Sequence, residues 1–394
     1  MKSKSIFMTI IAAAAVLAGG CSKFLDVHPK GEKINMFETA EEYEDALYGV
    51  YNELTGSNLY GQNFYLLPEV LSQNFTTTDY KYSELAEGEM TTQGASATKR
   101  EIWKSAYAAI NHINNIIEHA EDETLVPAER NKTANSFTDA RIAHMNLYAV
   151  QALTAKVYWS RNDLDNAEKY AGKVISSGKF SFRPVSAFVQ PDNGTLDLHE
   201  TIFGLFVNDE TAMMKKLSLA ETVGASALKL ATDYAVLYEK NAGASTDYRL
   251  SAWFDPAIPA CRKMVNSIFI AGNNTYNGKS ILGYDVIRLP ELYYIIAEAN
   301  ITKDPAKAKE YFDKVLKSRG RETLEESGEA LTKDLLFEER KREFYCEGFT
   351  WFDMKMERKD ILTVSGKVLP GDVAATYMLT VPDEEWESRK DIEI

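Results

Sequence analysis

The chain predicts a mainly α-helical fold, in which paired antiparallel helices form a scaffold and a loop-rich half with a few short strands is set against it. Three observations predict this. Apolar residues recur at helical spacing along most of the length, and helix-start signals precede those runs. Two stretches, about 56–97 and 178–285, break the pattern with Gly, Pro, Asn and short aromatic segments.

Ahead of the first helix, residues 1–20 read as a lipoprotein signal peptide. Lys2 and Lys4 form a charged start, Ile6 to Leu17 is an apolar run short for a bilayer span, and Ala18-Gly19-Gly20 precedes Cys21. Cys21 is the expected lipid anchor, its thiol carrying acyl chains whose buried methylenes hold a membrane. The leucine usual three residues before such a cysteine stands one place further back, at Leu17. Everything downstream is therefore read as extracytoplasmic, with residues 21–394 as a single domain. No second apolar stretch is long enough to span a bilayer.

Removing Lys2 and Lys4, and no acid, takes the formal charge from −14 to −16. A phosphate backbone needs a basic surface, so nucleic acid is excluded as a partner. Cys261 and Cys346 lack the paired spacing of zinc or redox sites, and pairing or two free thiols are both open. The five histidines make no metal motif, and no cofactor is implied; His112 and His119, two helical turns apart, read as a solvated or packed pair.

The helices follow in order. Thr39-Ala40-Glu41-Glu42 looks like a capping box, followed by Tyr43, Ala46, Leu47, Val50, Tyr51 and Leu54 on one stripe. Thr98 and Glu101 repeat the device ahead of Trp103, Ala106, Ile110, Ile113 and Ile117. A third helix is expected over about 139–158 and a fourth over 164–175, joined by Ser160-Arg161-Asn162-Asp163. Ala155, Tyr158 and Ala167 have the small-aromatic-small spacing of a tetratricopeptide hairpin, where two helices cross closely. A second hairpin is expected over about 289–299 and 305–317, with Asp304-Pro305 as cap and first helical residue; its small residues, Ala297 and Ala308, stand eleven apart instead of twelve. The scaffold thus covers about 36–55, 98–177 and 286–358. Within the loop-rich portions, Phe180–Arg183, Ile202–Val207 and Ile268–Ile270 are the strand candidates. Long loops inside a compact domain point to function there.

In the C-terminal block, Glu338 and Arg342, Glu339 and Glu343, and Glu343 and Glu347 are spaced i,i+4, with Arg340 available for compensation. A glycosidase needs two carboxyls facing each other across a cleft at about 5–9 Å, whereas these lie along one helix. No catalytic residue is assigned. Phe344, Trp351 and Phe352 read as core.

The run Leu335-Leu336-Phe337-Glu338-Glu339-Arg340-Lys341-Arg342-Glu343-Phe344-Tyr345-Cys346-Glu347-Gly348-Phe349-Thr350-Trp351-Phe352-Asp353 resembles the signature of the SusD/RagB family of Bacteroidetes outer-membrane lipoproteins. Cys21-Ser22-Lys23-Phe24-Leu25-Asp26-Val27, Asp247-Tyr248-Arg249-Leu250 and Ile287–Ala299 fall in the order that family shows. The chain departs from it at Phe349 and Thr350, where a basic or imidazole pair is usual, and in a closing segment, Val381 to Trp386, that echoes the family's loosely. The resemblance implies a SusD-like fold and a non-catalytic surface lipoprotein of the outer membrane. Such a protein captures oligosaccharide or polysaccharide and passes it to a SusC-like TonB-dependent transporter, its repeat side toward the transporter.

Sugar binding asks for exposed rings that stack on pyranose faces, flanked by amides and carboxylates. Tyr60, Asn63, Tyr65, Asp79, Tyr80 and Tyr82 cluster in the first loop-rich stretch, where the resemblance places part of a glycan site, and Trp253, Asn273 and Tyr276 stand in the second. Two other classes compete: a glycoside hydrolase with paired carboxylates, and a helical-repeat scaffold that binds protein alone.

Overall fold

A computed structural model describes residues 37, 39–77, 79–120, 141–188, 196–197, 199–207, 228–231, 234–239, 247–254, 261–264 and 283–382. The signal peptide, Cys21, Ile268–Ile270, Asn273 and Tyr276 lie outside the described residues.

Helix α1 (Ala40–Leu54) starts on the expected capping box, with the Thr39 hydroxyl accepting from the Glu42 N–H and the Glu42 carboxylate accepting from the Thr39 N–H. It packs along α4 (Gln93–Ala120), a helix about 42 Å long at 1.5 Å per residue. Between them lie α2 (Asn63–Leu71) and α3 (Tyr80–Ala86), so about half of the stretch expected to be loop-rich is helical. Its punctuating residues serve as joints: Gly61 sits where a Cβ would meet the Thr55 carbonyl oxygen at 2.2 Å, and the Asp79 carboxylate caps α3 through the Lys81 N–H. Helix α4 also begins five residues before Thr98. That hydroxyl bonds the Gly94 carbonyl one turn back, and Glu101 faces Lys81 and Asn63 instead of closing a capping box.

Both hairpins are present. Helices α5 (Leu147–Ser160) and α6 (Leu164–Ile175) form the first, with α5 starting later than expected because Asn146 caps it through the Tyr148 and Ala149 N–H groups. Helices α9 (Leu289–Asn300) and α10 (Pro305–Ser318) form the second, with α10 starting on the Asp304 cap. Ala155, Ala167, Ala297 and Ala308 are fully buried at the crossings, and Tyr158 stacks on Tyr170 at 5.7 Å. Helix α9 also packs on α6, so the hairpins continue one another as stacked repeats do.

Strand β2 (Thr201–Phe206) pairs antiparallel with β4 (Gly283–Arg288), a strand the sequence pattern did not suggest, and the ladder lies against α5 and α9. Two shorter pairs are also present among the described residues: β1 (Phe75–Thr76) with β3 (Lys229–Leu230), and β5 (Ile361–Leu362) with β6 (Val368–Leu369). Phe180–Arg183 is not a strand. Its rings dock on helices instead, Phe180 on Tyr148 at 5.7 Å and Phe182 on Tyr293 at 4.7 Å. Short helices α7 (Tyr234–Glu239) and α8 (Tyr248–Trp253) precede β4, and α11 (Lys333–Glu343) and α12 (Thr350–Met356) follow the hairpins. Phe344 and Trp351 are core as expected, but Phe352 is 41% exposed, because α12 turns that face outward. Among the described residues no helix is long and apolar enough to cross a membrane.

Because the buried alanines set the approach of each hairpin, Ala155→Leu or Ala308→Leu should overpack the crossing and lower stability by about 1–3 kcal/mol. Thermal unfolding checks this; an unchanged midpoint would show that the crossings have slack.

Candidate functional site

The C-terminal block, α11 and the turn to α12, carries acids inward to the meeting point of both halves. Glu343, fully buried, accepts from Arg288 Nη1 at 2.7 Å and Arg319 Nη2 at 2.8 Å through Oε1, and from Arg319 Nε at 2.9 Å and Arg249 Nη1 at 3.0 Å through Oε2. Three guanidiniums from α8, β4 and the end of α10 thus converge on one carboxylate. Glu200, just before β2, takes Arg319 at 2.8 Å and Arg288 at 3.0 Å. Glu347 takes Arg288 at 2.6 and 2.9 Å and pairs with Lys263, while Asp247 and Glu339 hold Arg249 at 2.7 Å each. Burial alone would raise the Glu343 carboxyl, but Arg319 and Arg288 overcome it and hold it well below the usual range. Glu200 and Asp247 are lowered in the same way, burial opposed first by Arg319 and by Arg249 respectively. A hydrolytic pair needs water, a cleft and one protonated acid; these carboxylates are sealed and matched to guanidiniums, so the cluster is a lock.

Two further acids lie beside it without an arginine of their own. Glu69 on α2 accepts the Cys346 N–H at 3.2 Å, the Gly348 N–H at 2.6 Å and the Asn74 amide at 2.8 Å. That grip holds a turn in which Cys346 and Gly348 have φ of 65° and 78°. Burial pushes Glu69 up to about 7 against those donors. Burial likewise pushes Asp285 up to about 8, although Arg288 opposes it.

The sequence-predicted ligand residues are mostly built into the core. Tyr65, Tyr82 and Trp253 are 3%, 1% and 3% exposed, and Tyr65 packs on Tyr284 at 4.8 Å. A ring sealed on both faces offers nothing to a sugar, so these three are packing residues here. Asn63 is buried and accepts from the Tyr82 hydroxyl at 2.5 Å, and Asp79 is committed to its helix cap. Tyr60 is partly buried against Phe64 at 5.0 Å, and burial pushes its hydroxyl up to about 12. Tyr80 opens α3, its ring outside the described set. High tyrosine content pointed to this stretch, but α2 and α3 turn its apolar face inward, which loop composition could not reveal.

An open groove of about 550 Å³ runs between the hairpins, lined by Asp165, Glu168 and Lys169 on α6 and by Lys303, Lys307 and Tyr311 at α10. Lys303 reaches Asp165 at 2.7 Å and Glu168 at 3.3 Å, and Lys307 pairs with Glu168 across it.

Arg319→Ala would strand Glu200 and Glu343 in the interior and should cost about 3–5 kcal/mol, read from denaturant unfolding. Stability should also depend on pH from both sides. The arginine-held acids contribute above the unfolded carboxylate value of about 4 and lose that contribution as pH falls. Glu69 and Asp285, raised to about 7 and about 8, contribute fully below the unfolded carboxylate value of about 4 and lose that contribution as pH rises from there through those values. The unfolding midpoint should therefore peak in mildly acid solution and decline toward about pH 8, and Glu69→Gln should flatten that decline. A midpoint that climbs steadily from acid to pH ~8 would contradict the assignment.

Residues 215–360 match the model of the SusD family. Among solved structures, the chain is similar to a SusD superfamily protein from Bacteroides thetaiotaomicron, with 16% identity, a TM-score of 0.68, and coverage of 90% of this chain and 99% of that one. It is similar to surface glycan-binding protein A of the same organism, with 15% identity, a TM-score of 0.65, and coverage of 91% and 99%. A SusD-like carbohydrate binding protein from Bacteroides vulgatus gives 15% identity, a TM-score of 0.66, and coverage of 90% and 97%. No curated protein sequence matches. The matched segment contains the Arg249, Arg288, Arg319 and Glu343 lock, and it sits in a SusD-like fold shared over nine-tenths of the chain.

Proposed function

We propose that this protein is a non-catalytic, lipid-anchored surface receptor that captures oligosaccharide and hands it to a partner TonB-dependent outer-membrane transporter. The observation that carries the reading is the SusD-like fold over nine-tenths of the chain, shared with proteins described as glycan- and carbohydrate-binding. Cys21 supplies the anchor. The hairpin side, with its charged groove, faces the transporter, and the ligand meets the opposite, strand-bearing side. Of the predicted ligand residues, Tyr80 and Tyr276 are assigned the stacking, and Tyr60 and Asn273 the hydrogen bonds.

Affinity electrophoresis of the mature chain through gels containing soluble polysaccharides tests capture, and a reducing-sugar assay on the same glycans tests turnover. Retardation by at least one glycan without sugar release is expected; release at enzyme-like rates, or no retardation across a broad panel, would overturn the reading. Tyr80→Ala or Tyr276→Ala should weaken that binding about fivefold, as loss of one stacking ring of about 1 kcal/mol predicts, whereas Tyr65→Phe should leave affinity unchanged. Reversing Lys303 and Lys307 to Glu should reduce co-purification with the transporter from detergent-solubilised membranes while sparing glycan binding. If the pair of substitutions leaves the complex intact, the groove is not the docking face.

A further inference from the structure

Cys261 and Cys346 stand 85 residues apart in the chain yet lie side by side in one core cluster, both with no exposed surface. Independent contacts fix that neighbourhood. Lys263, two residues from Cys261, donates to the carbonyls of Glu343 at 2.8 Å and Tyr345 at 3.3 Å and pairs with Glu347, so its segment brackets Cys346 on both sides. Phe254 meets Tyr345 edge-on at 5.7 Å just upstream. In the folded chain burial, with Cys261 beside it, pushes the Cys346 thiol well above its ordinary range. Both are thiols in the structure.

We propose that Cys261 and Cys346 are joined by a disulfide in the exported protein. The bond forms by thiol–disulfide exchange with a protein disulfide of the cell envelope: one cysteine thiolate attacks the donor disulfide and releases a donor thiolate. The second cysteine then displaces the other donor sulfur, so the donor leaves as a dithiol and the two protein sulfurs are oxidised. Exchange precedes burial, because the folded core admits neither the donor nor a thiolate. Once closed, the bond staples the segment at 261–264 to the Glu69-held turn, and so fastens the loop half to the lock. Closing a loop of this length constrains the unfolded chain strongly.

The test uses the full-length chain recovered from the envelope of an exporting host and denatured in the presence of a maleimide, before and after reduction, with peptide mapping by mass spectrometry. The expected result is no maleimide on Cys261 or Cys346 before reduction, a cross-linked peptide lighter by two hydrogens, and full labelling afterwards. Stability gives a second reading. With a bond present, Cys261→Ala and Cys346→Ala each lower the unfolding midpoint, and the double variant lowers it little further, because either change alone removes the link. Labelling of both thiols in the unreduced envelope protein, or midpoint losses that simply add, would overturn the proposal.

Discussion

Glu343 is the constraint on which the rest of the structure depends. One buried carboxylate accepts from three guanidiniums, and those guanidiniums arrive from α8 in the loop half, from β4 beneath the hairpins and from the end of α10. None of the three can be left in the interior alone, since an unpaired buried charge costs several kcal/mol. The chain must therefore bring distant segments to one point before the core can close. Such a network adds little net stability over apolar packing, but it discriminates sharply between the native arrangement and its near neighbours.

Around that point the fold divides its labour. The stacked hairpins meet through alanines and aromatic pairs, which sets their angle by close approach and needs no polar partner. The other half is held from outside: Glu69 grips the turn at Cys346 and Gly348, and β2 and β4 join across an interval of more than seventy residues. Such stiffness between the two halves lowers the ordering cost of a binding event on either side.

Much of this was legible in the residues. The helical hairpins followed from periodicity and small-residue spacing, and the caps at Thr39 and Asp304 stand where the local signal put them. Local reasoning failed where a long-range contact decided. Thr98 looked like a cap but sits inside α4, because residues 93–97 are helical too and its hydroxyl is satisfied one turn back. Tyr65, Tyr82 and Trp253 looked like ligand rings because they lie in polar, glycine-bearing stretches, yet the structure seals them. The i,i+4 acids of the C-terminal block were visible, and Glu339 does find Arg342 on its own helix, but the arginine partners of Glu343 are 24 to 94 residues away and no spacing rule connects them. That is why the resemblance to the SusD family was legible in its signature run, whereas the burial of these rings was not.

Hydrogen exchange measured on the intact wild-type chain and on Glu343→Gln tests the central constraint most directly. Protection should fall together in α8, β4 and the α9–α10 hairpin as well as in α11, because one carboxylate ties them. Loss confined to α11 and the turn after it would contradict the account and make the buried network a passenger of a fold secured by apolar packing alone.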